Sequence, residues 1–444
     1  MALTIILALI TVISMVIVVL TKPYVKIGKL NIGLYWVVCL VGAVFMLIFG
    51  RISLTSVING ITADTSVNPL KILTLFLSMT LLSVYLGDTG FFDYVANLVF
   101  VKTKGGGYKL FFILYIVVAV LTVFTSNDII ILTFTPPICI FAKKARVSPL
   151  PYLFAEFIAA NTWSMALIIG NPTNIYLAGS AGITFYEYLS VMIVPAIVGG
   201  ITSLLMLVLV FNKQLKVERG DTTENSEPTS DLLRVKNFKS KISKAPMIVA
   251  LIHLLGCIVM LAISDLINIE MYLICLGFAL SLTIFFVIYD LVKIRTIYPV
   301  ISSVKKAPYE LIPFVLSMFV IVLALKESGV TEILGNLLIS STKLDALIFS
   351  ALSTLSSNLL NNIPMSVLFE QIVNGKSVFA LYGSIIGSNV GAFLTPVGAL
   401  AGIMWSKILG KYDVKMSFTK FIFYGVIVAI PTMLLSAGAL MLVI

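Results

Sequence analysis

Residues 88–99 read Asp88-Thr-Gly-Phe-Phe-Asp-Tyr-Val-Ala-Asn-Leu-Val99, and residues 327–338 read Glu327-Ser-Gly-Val-Thr-Glu-Ile-Leu-Gly-Asn-Leu-Leu338. The two segments align without a gap, with acid on acid, glycine on glycine and asparagine on asparagine. Each lies at the end of an apolar run of membrane-spanning length. The match therefore predicts that the chain contains two copies of one structural unit, on either side of the long polar segment 213–244.

The composition around these segments indicates a membrane protein. Hydrophobic residues make up 59% of the 444 positions and charged residues only 11%, and the mean hydropathy is +1.10. A water-soluble chain must cover its surface with polar groups, and this chain has too few of them. The sequence has no phosphate-binding loop, dinucleotide fingerprint or His-Glu-x-x-His motif, so neither ATP-driven pumping nor a conventional enzyme site is supported. We expect an all-α polytopic membrane protein that is not an enzyme.

Apolar runs that lie between polar breaks predict ten membrane crossings. They are 3–21, 32–50, 71–90, 150–178, 187–211, 246–266, 271–290, 309–326, 378–406 and 418–443. Two further apolar stretches, 110–142 and 345–373, carry polar residues at their centres. We interpret these two as re-entrant hairpins that enter and leave the bilayer on the same side.

This arrangement places most of the 30 Lys and Arg residues on one face of the membrane. By the positive-inside rule that face is cytoplasmic, and it includes the linker 213–244, which has the composition of a segment of low order. The repeats 1–212 and 245–444 then have opposite orientations, as in inverted-repeat transporters. The same asymmetry accounts for the net charge of +10, which therefore does not indicate nucleic-acid binding.

The polar centres of the two hairpins are the first candidate sites. They lie at 125–128 in the first hairpin, and at 356–358 and 361–364 in the second. Backbone at a hairpin tip loses helical hydrogen bonds that lipid cannot replace, so Ser and Asn there either cap the chain or coordinate an ion. Asp128 is an ionisable residue within an apolar stretch and is predicted to be an ion ligand or a proton acceptor. Glu156 is either a second titrating group or an interfacial residue.

Two of the predicted spans are interrupted by Gly, Pro and Asn. Gly170-Asn-Pro-Thr-Asn174 breaks the span 150–178, and residues 387–398 break the span 378–406. Each is predicted to form two half-helices, whose N-termini can face an anion and whose freed carbonyls can face a cation. The predicted substrate- and ion-binding residues are Ser126, Asn127, Asp128, Asn171, Pro172, Thr173, Asn174, Ser357, Asn358, Asn361, Asn362, Asn389, Thr395 and Pro396.

The four cysteines, Cys39, Cys139, Cys257 and Cys275, lie in apolar runs and form no Cys-x-x-Cys pair. We interpret them as reduced, buried thiols with no role in a disulfide or a metal site. The sequence predicts no metal site and no cofactor other than a coupling ion, H⁺ or Na⁺.

These motifs resemble those of the arsenite permease family of the ion transporter superfamily, which also contains sodium/dicarboxylate symporters and sodium/proton antiporters. The resemblance is carried by residues 90–92, 127–128, 171–174, 361–364 and 395–405. It implies a scaffold and an elevator-like transport domain, built from both hairpins and both broken spans. It also implies a homodimer.

The hairpin tips depart from the dicarboxylate symporters, which carry Ser-Asn-Thr at each tip. Residues 126–128 read Ser-Asn-Asp, and the second tip has Asn361-Asn362 with no Ser-Asn-Thr. The added negative charge disfavours a dianion and favours a cation or a neutral species. We therefore expect a secondary transporter, with proton-coupled efflux of arsenite or antimonite as the leading hypothesis.

Several alternatives stay open at this point. A sodium/proton antiporter fits the same charge pattern, and a sodium-coupled carboxylate or anion symporter is disfavoured but not excluded. A passive channel, or the membrane subunit of an ATP-driven pump, is a hypothesis of a different class. In each case the expected partners are a small inorganic or organic ion and the lipid bilayer, and the expected location is the plasma membrane of a prokaryote.

Overall fold

The computed structural model describes residues 1–22, 24–27, 30–64, 68–103, 107–220, 244–373 and 375–444. These residues form twenty α-helices and one pair of short strands. In the first half they are α1 (Ala2–Thr21), β1 (Tyr24–Ile27), β2 (Leu30–Gly33), α2 (Leu34–Ile48), α3 (Leu54–Thr62), α4 (Pro69–Asp88), α5 (Phe91–Thr103), α6 (Tyr108–Phe124), α7 (Asn127–Ala145), α8 (Leu150–Trp163), α9 (Pro172–Ser180) and α10 (Phe185–Gly220). In the second half they are α11 (Lys244–Ala262), α12 (Met271–Ile294), α13 (Tyr298–Val304), α14 (Leu311–Glu327), α15 (Val330–Leu338), α16 (Leu344–Leu360), α17 (Asn362–Val373), α18 (Val378–Gly391), α19 (Leu400–Lys411) and α20 (Phe418–Val443).

The prediction of an all-α polytopic membrane protein is confirmed. Within the described residues, six helices are long and apolar enough to cross a bilayer by themselves: α1, α4, α10, α11, α12 and α20. The pair α14 and α15, bent by 77°, would be a seventh span. Large apolar side chains cover the outer faces, for example Ile201, Leu205 and Leu209 along one side of α10. Such a surface is stable in lipid and not in water.

Two local features add to the helical fold. Strands β1 and β2 pair antiparallel, with Tyr24 opposite Gly33 and Ile27 opposite Leu30, at the junction of the predicted spans 3–21 and 32–50. The predicted linker 213–244 is shorter than expected, because residues 213–220 continue α10 and Lys244 begins α11. Residues 221–243 lie outside the described part of the chain.

Both predicted hairpins consist of two helices separated by a very short turn. Only Thr125 and Ser126 separate α6 from α7, and only Asn361 separates α16 from α17. Asn361 has φ +73° and ψ +153°, a strained backbone conformation that residues other than glycine rarely adopt. Residues 356–358, expected at the second tip, are helical and lie one turn before it.

Both predicted broken spans are interrupted where Gly, Pro and Asn cluster. Two turns of 3₁₀ helix, Ser164–Ala166 and Ile168–Gly170, separate α8 from α9. Pro172 is the first residue of α9, a position where its fixed φ fits the helix and its missing N–H costs nothing. In the second half, the non-helical residues 392–399 separate α18 from α19.

The two aligned segments have the same local structure. A glycine with positive φ, Gly90 (+84°) or Gly329 (+79°), separates a long helix from the helix that follows it, α4 from α5 and α14 from α15. The halves also contact each other reciprocally, because α7 packs on α19 and α17 packs on α9. The opposite membrane orientation of the two repeats stays a prediction.

Close helix packing fixes the second hairpin to the second broken span. Side chains of α16 donate to glycine carbonyls of α18 at every fourth residue: Ser350 Oγ to Gly383 O (3.1 Å), Thr354 Oγ1 to Gly387 O (3.2 Å) and Asn358 Nδ2 to Gly391 O (2.9 Å). Small residues allow this approach, and polar side chains add hydrogen bonds, as is typical of membrane helix pairs.

We expect Gly387→Ala to separate α16 from α18. A Cβ at this position would lie 1.8 Å from Ser353 Oγ and 2.2 Å from the Ser350 carbonyl oxygen, which is backbone and cannot rotate away. Overpacking of this kind costs about 1–3 kcal/mol, so the thermal unfolding midpoint in detergent should fall. Gly438→Ala in α20 is the matched control, because a Cβ there meets nothing within 4 Å. Equal midpoints for the two variants would contradict the packing described here.

Candidate functional site

Asn389, in the last turn of α18, joins the two broken spans. Its Oδ1 accepts hydrogen bonds from Ser164 Oγ (2.8 Å) and Asn171 Nδ2 (2.9 Å). Its Nδ2 donates to Asn174 Oδ1 (2.7 Å) and to the Ile385 carbonyl (2.8 Å). The side chain thereby uses both donors and both acceptor positions of its amide. Asn389 is completely buried, so these bonds are not exchanged with water.

The first break is held by its own asparagines. Asn171 Oδ1 accepts from the Thr173 backbone N–H (3.2 Å) and caps α9. Asn174 Nδ2 donates to the carbonyls of Ser164 (2.8 Å) and Leu167 (3.2 Å), which are groups freed by the break. Side chains thus replace hydrogen bonds that an unbroken helix would make.

The first hairpin tip is joined to the same cluster through Asn161. Asn127 Nδ2 donates to Asn161 Oδ1 at 3.0 Å, and Asn161 Nδ2 donates to the Phe157 carbonyl at 2.8 Å. Both asparagines are buried. The tip therefore packs against the end of α8, directly before the first break.

Asp128 and Ser126 flank Asn127 but stay outside this hydrogen-bond network. The Asp128 carboxylate forms no hydrogen bond or ion pair within the described chain, and its backbone N–H is taken by Asn127 Oδ1 (2.9 Å). It lies in the first turn of α7, where the helix dipole favours a negative charge. The Ser126 hydroxyl does not cap α7. Asp128 is therefore a carboxylate with its acceptor positions free.

The second hairpin tip is fastened to the second break. The contacts are Thr395 Oγ1 to Asn358 Oδ1 (2.6 Å), Asn361 Nδ2 to Val397 O (3.2 Å) and Asn362 N to Gly398 O (3.1 Å). The amide oxygens of Asn361 and Asn362 are buried without a hydrogen-bond partner among the described residues. Two adjacent unpaired oxygens are unusual in a folded interior and are suited to a cation or a hydroxyl donor.

The other predicted residues have structural roles. Thr173 Oγ1 lies 3.0 Å from Ser388 Oγ, which adds a contact between the two breaks. Ser357 Oγ donates to the Thr354 carbonyl (3.0 Å) and occupies the space beside Gly391. Pro172 and Pro396 lie at the breaks themselves. The predicted residues of both repeats therefore lie in one region of the structure. Ser357 differs from the others, because its hydroxyl lies in the packed interface between α16 and α18.

Glu156 is completely buried within the protein. The Thr135 hydroxyl of α7 donates to its Oε1 (2.8 Å), and Trp405 Nε1 of α19 donates to its Oε2 (3.3 Å). A carboxyl group of α8 thus links the first hairpin to the second broken span. Glu370 of α17 is also buried and was missed by sequence reasoning. It is an acid within an apolar run, the signal that identified Asp128.

The sequence model of the CitMHS family, described as a citrate transporter, matches residues 15–378. This match covers most of the chain. The chain belongs to the CitMHS family. Among its relatives is the arsenical pump membrane protein of Escherichia coli K12, 25% identical over 380 residues, 83% of this chain and 85% of that protein. The putative arsenical pump membrane protein of Bacillus subtilis is 26% identical over 416 residues, 90% of this chain and 92% of that protein.

These relatives confirm the resemblance to arsenite permeases and establish that this CitMHS member is a membrane transporter. Two solved transporters share its fold. The YdaH transporter of Alcanivorax borkumensis matches with a TM-score of 0.53 at 12% identity, over 99% of this chain and 97% of that one. The MtrF efflux pump of Neisseria gonorrhoeae matches with a TM-score of 0.52 at 13% identity, over 99% of this chain and 94% of that one.

We expect Asn389→Asp to disconnect the two broken spans of this CitMHS protein. The carboxylate cannot donate to Asn174 Oδ1 or to the Ile385 carbonyl, which would then face a buried negative charge. An unsatisfied buried group costs about 1–3 kcal/mol, and more when charged. Thermal unfolding and transport should both be impaired, whereas Asn59→Asp, on an exposed face of α3, should be neutral. Wild-type stability of Asn389→Asp would rule out this structural role.

Proposed function

We propose that this CitMHS member is a proton-coupled secondary transporter that exports the neutral trivalent hydroxides of arsenic and antimony. The observation that carries the proposal is the charge of the cluster. The side chains that join the breaks and tips are amides and hydroxyls, and the charged side chain beside them, Asp128, is a carboxylate. Arsenite is uncharged at neutral pH, and its hydroxyls can both donate to and accept from such groups.

The relatives named as arsenical pump membrane proteins support this substrate class. They match 83% and 90% of this chain. Their bacterial origin also supports the plasma membrane of a prokaryote as the location. The homodimer implied by the family resemblance is part of the same proposal.

Asp128 supplies the coupling. An ionised carboxylate that has no partner is costly to move through the bilayer, whereas its protonated form is not. Asn389 joins the two broken spans, and the hairpin tips are joined to these spans through Asn161 and Thr395, so all four are expected to move as one body that carries Asp128 with it. The empty domain would then move with Asp128 protonated, and the loaded domain would move with Asp128 ionised and accepting hydrogen bonds from the substrate hydroxyls, which exchanges one proton for one neutral substrate.

A second candidate is sodium-coupled transport of a carboxylate such as citrate. Two observations favour it: the family description, and the N-terminus of α19, which no side chain caps. A carboxylate could accept from the free backbone N–H groups there, while the unpaired oxygens of Asn361 and Asn362 ligate Na⁺. The ionised form of Asp128 opposes this candidate.

Proteoliposomes with an internal pH dye distinguish the two functions. We expect arsenite to elicit proton movement in the wild type, and Asp128→Asn to abolish that movement. Asp413→Asn is the matched control, because it removes a carboxylate from an exposed turn after α19. Citrate uptake that requires sodium would establish the second candidate instead, and a proton signal with sodium alone would identify an antiporter.

Glu156→Gln tests whether the other buried carboxyl group carries the proton. Gln can keep both contacts, because its Oε1 can accept from Trp405 Nε1 and its NH₂ group can donate to Thr135 Oγ1, whose own hydrogen then goes to the Ile131 carbonyl (2.6 Å). We expect an unfolding midpoint close to that of the wild type, with the pH dependence of transport retained. Loss of the pH dependence in Glu156→Gln, together with its retention in Asp128→Asn, would transfer the coupling role to Glu156.

A further inference from the structure

Three helices outside the hairpins and broken spans bring three sulfur atoms together. Cys257 of α11 has its Sγ 3.8 Å from Cys275 Sγ of α12 and 3.8 Å from Met79 Sδ of α4. Both cysteines are completely buried, and Met79 is 5% exposed. Both are free thiols, because their separation is far longer than a disulfide bond of about 2.05 Å.

We propose that Cys257 and Cys275 bind one trivalent metalloid hydroxide, arsenite or antimonite, with the Met79 thioether as a third soft contact. One As(OH)₃ reacts with two thiols to give a dithiolate, (RS)₂AsOH, and two water molecules. Two As–S bonds form and two As–O bonds break, and each departing hydroxide takes the proton of one thiol. Arsenic stays trivalent, so the reaction needs no oxidant or reductant.

The geometry suits a single bridging atom. Bonds of about 2.3 Å, the usual length between zinc and cysteine sulfur, would give an angle of about 110° at an atom between two sulfurs separated by the observed distance. The helices therefore do not have to move. Thiolate and thioether sulfur select soft acceptors rather than Mg²⁺ or Ca²⁺. Within the described chain, no group of three or more His, Cys, Asp or Glu is placed to hold a metal ion, so this sulfur set differs from a conventional metal site.

Burial favours a neutral metalloid over a soft cation. The reactants and products of the condensation are all uncharged, so no charge is left in the apolar interior. A monovalent metal ion on two thiolates would leave a net negative charge among α4, α11 and α12. The ring nitrogens of His253, one turn from Cys257, contact the Val249 carbonyl (2.8 Å) and Ser281 Oγ (3.2 Å) and not the two cysteine sulfurs.

The site is independent of the proposed transport site. Its three helices do not include the tips or breaks, and α12 packs on both α4 and α11. A bound metalloid would cross-link α11 to α12. Metalloid binding at the sulfur site can therefore be measured without transport. A failure of the binding test leaves the proposed transport function standing, and the reverse also holds.

Arsenic bound to the purified full-length protein tests the proposal. Protein kept reduced by a phosphine is equilibrated with arsenite, dialysed, and analysed for arsenic per chain by mass spectrometry. We expect about one arsenic per chain in the wild type and in the Cys39→Ala/Cys139→Ala control, which keeps the pair. Cys257→Ala and Cys275→Ala should each bind at least tenfold more weakly, and a small dithiol, but not a monothiol, should remove the arsenic.

Three outcomes would overturn the proposal. They are a wild-type protein that retains no arsenic, variants that retain it as the wild type does, and an arsenic X-ray absorption spectrum with no sulfur neighbours. Silver bound through the same cysteines without arsenite binding would also reject the metalloid. The Cys257→Ala variant should have the unfolding midpoint and the transport rate of the wild type. Agreement in both would show that the variant is folded and that its loss of arsenic binding is specific.

Discussion

The fold depends on one constraint, which is that lipid cannot hydrogen-bond the backbone groups that four helix interruptions set free. The chain meets it with asparagine, whose amide both donates and accepts. Asn174 takes carbonyls of the first break, Asn358 and Asn361 take carbonyls of the second, and Asn389 ties one break to the other. Without these side chains the two spans would be stable only as continuous helices, and no polar region would exist between them.

The hydrogen bonds that each side chain already makes separate structural groups from groups that are free to bind. Asn389 contacts four protein groups with its amide, so its role is to hold the two breaks together. The Asp128 carboxylate and the amide oxygens of Asn361 and Asn362 keep free acceptor positions. Among the residues predicted to bind, those with free acceptors therefore lie at the hairpin tips, and Asn171, Asn174 and Asn389 mainly hold the breaks in place.

Clusters of Gly, Pro and Asn in the sequence coincide with the interruptions between α8 and α9 and between α18 and α19, because these residue types act on the backbone directly. The re-entrant course of the two hairpins stays a prediction. The exact turn at Asn361 was missed, since Ser356 and Ser357 are equally plausible turn residues until the packing of α16 on α18 is known. Asn161 and Ser164 were missed because a tertiary neighbour has no signature in local sequence. Cys257 and Cys275 are different, because they lie at nearly equal distances from the turn between two consecutive spans. If α11 and α12 pack as an antiparallel pair, this spacing alone predicts that the two thiols lie close together.

Charge at the first tip decides how one scaffold can serve different substrates. A carboxylate of citrate about 4 Å from an ionised Asp128 would be repelled by about 4 kcal/mol at an effective dielectric constant of 20. Citrate could then bind well only after Asp128 had taken up a proton, so its affinity would fall steeply as the pH rises. A neutral hydroxide meets no such penalty, and protonation would govern only the return of the empty domain. The pH dependence of substrate affinity, as distinct from transport rate, therefore depends on the charge of the substrate.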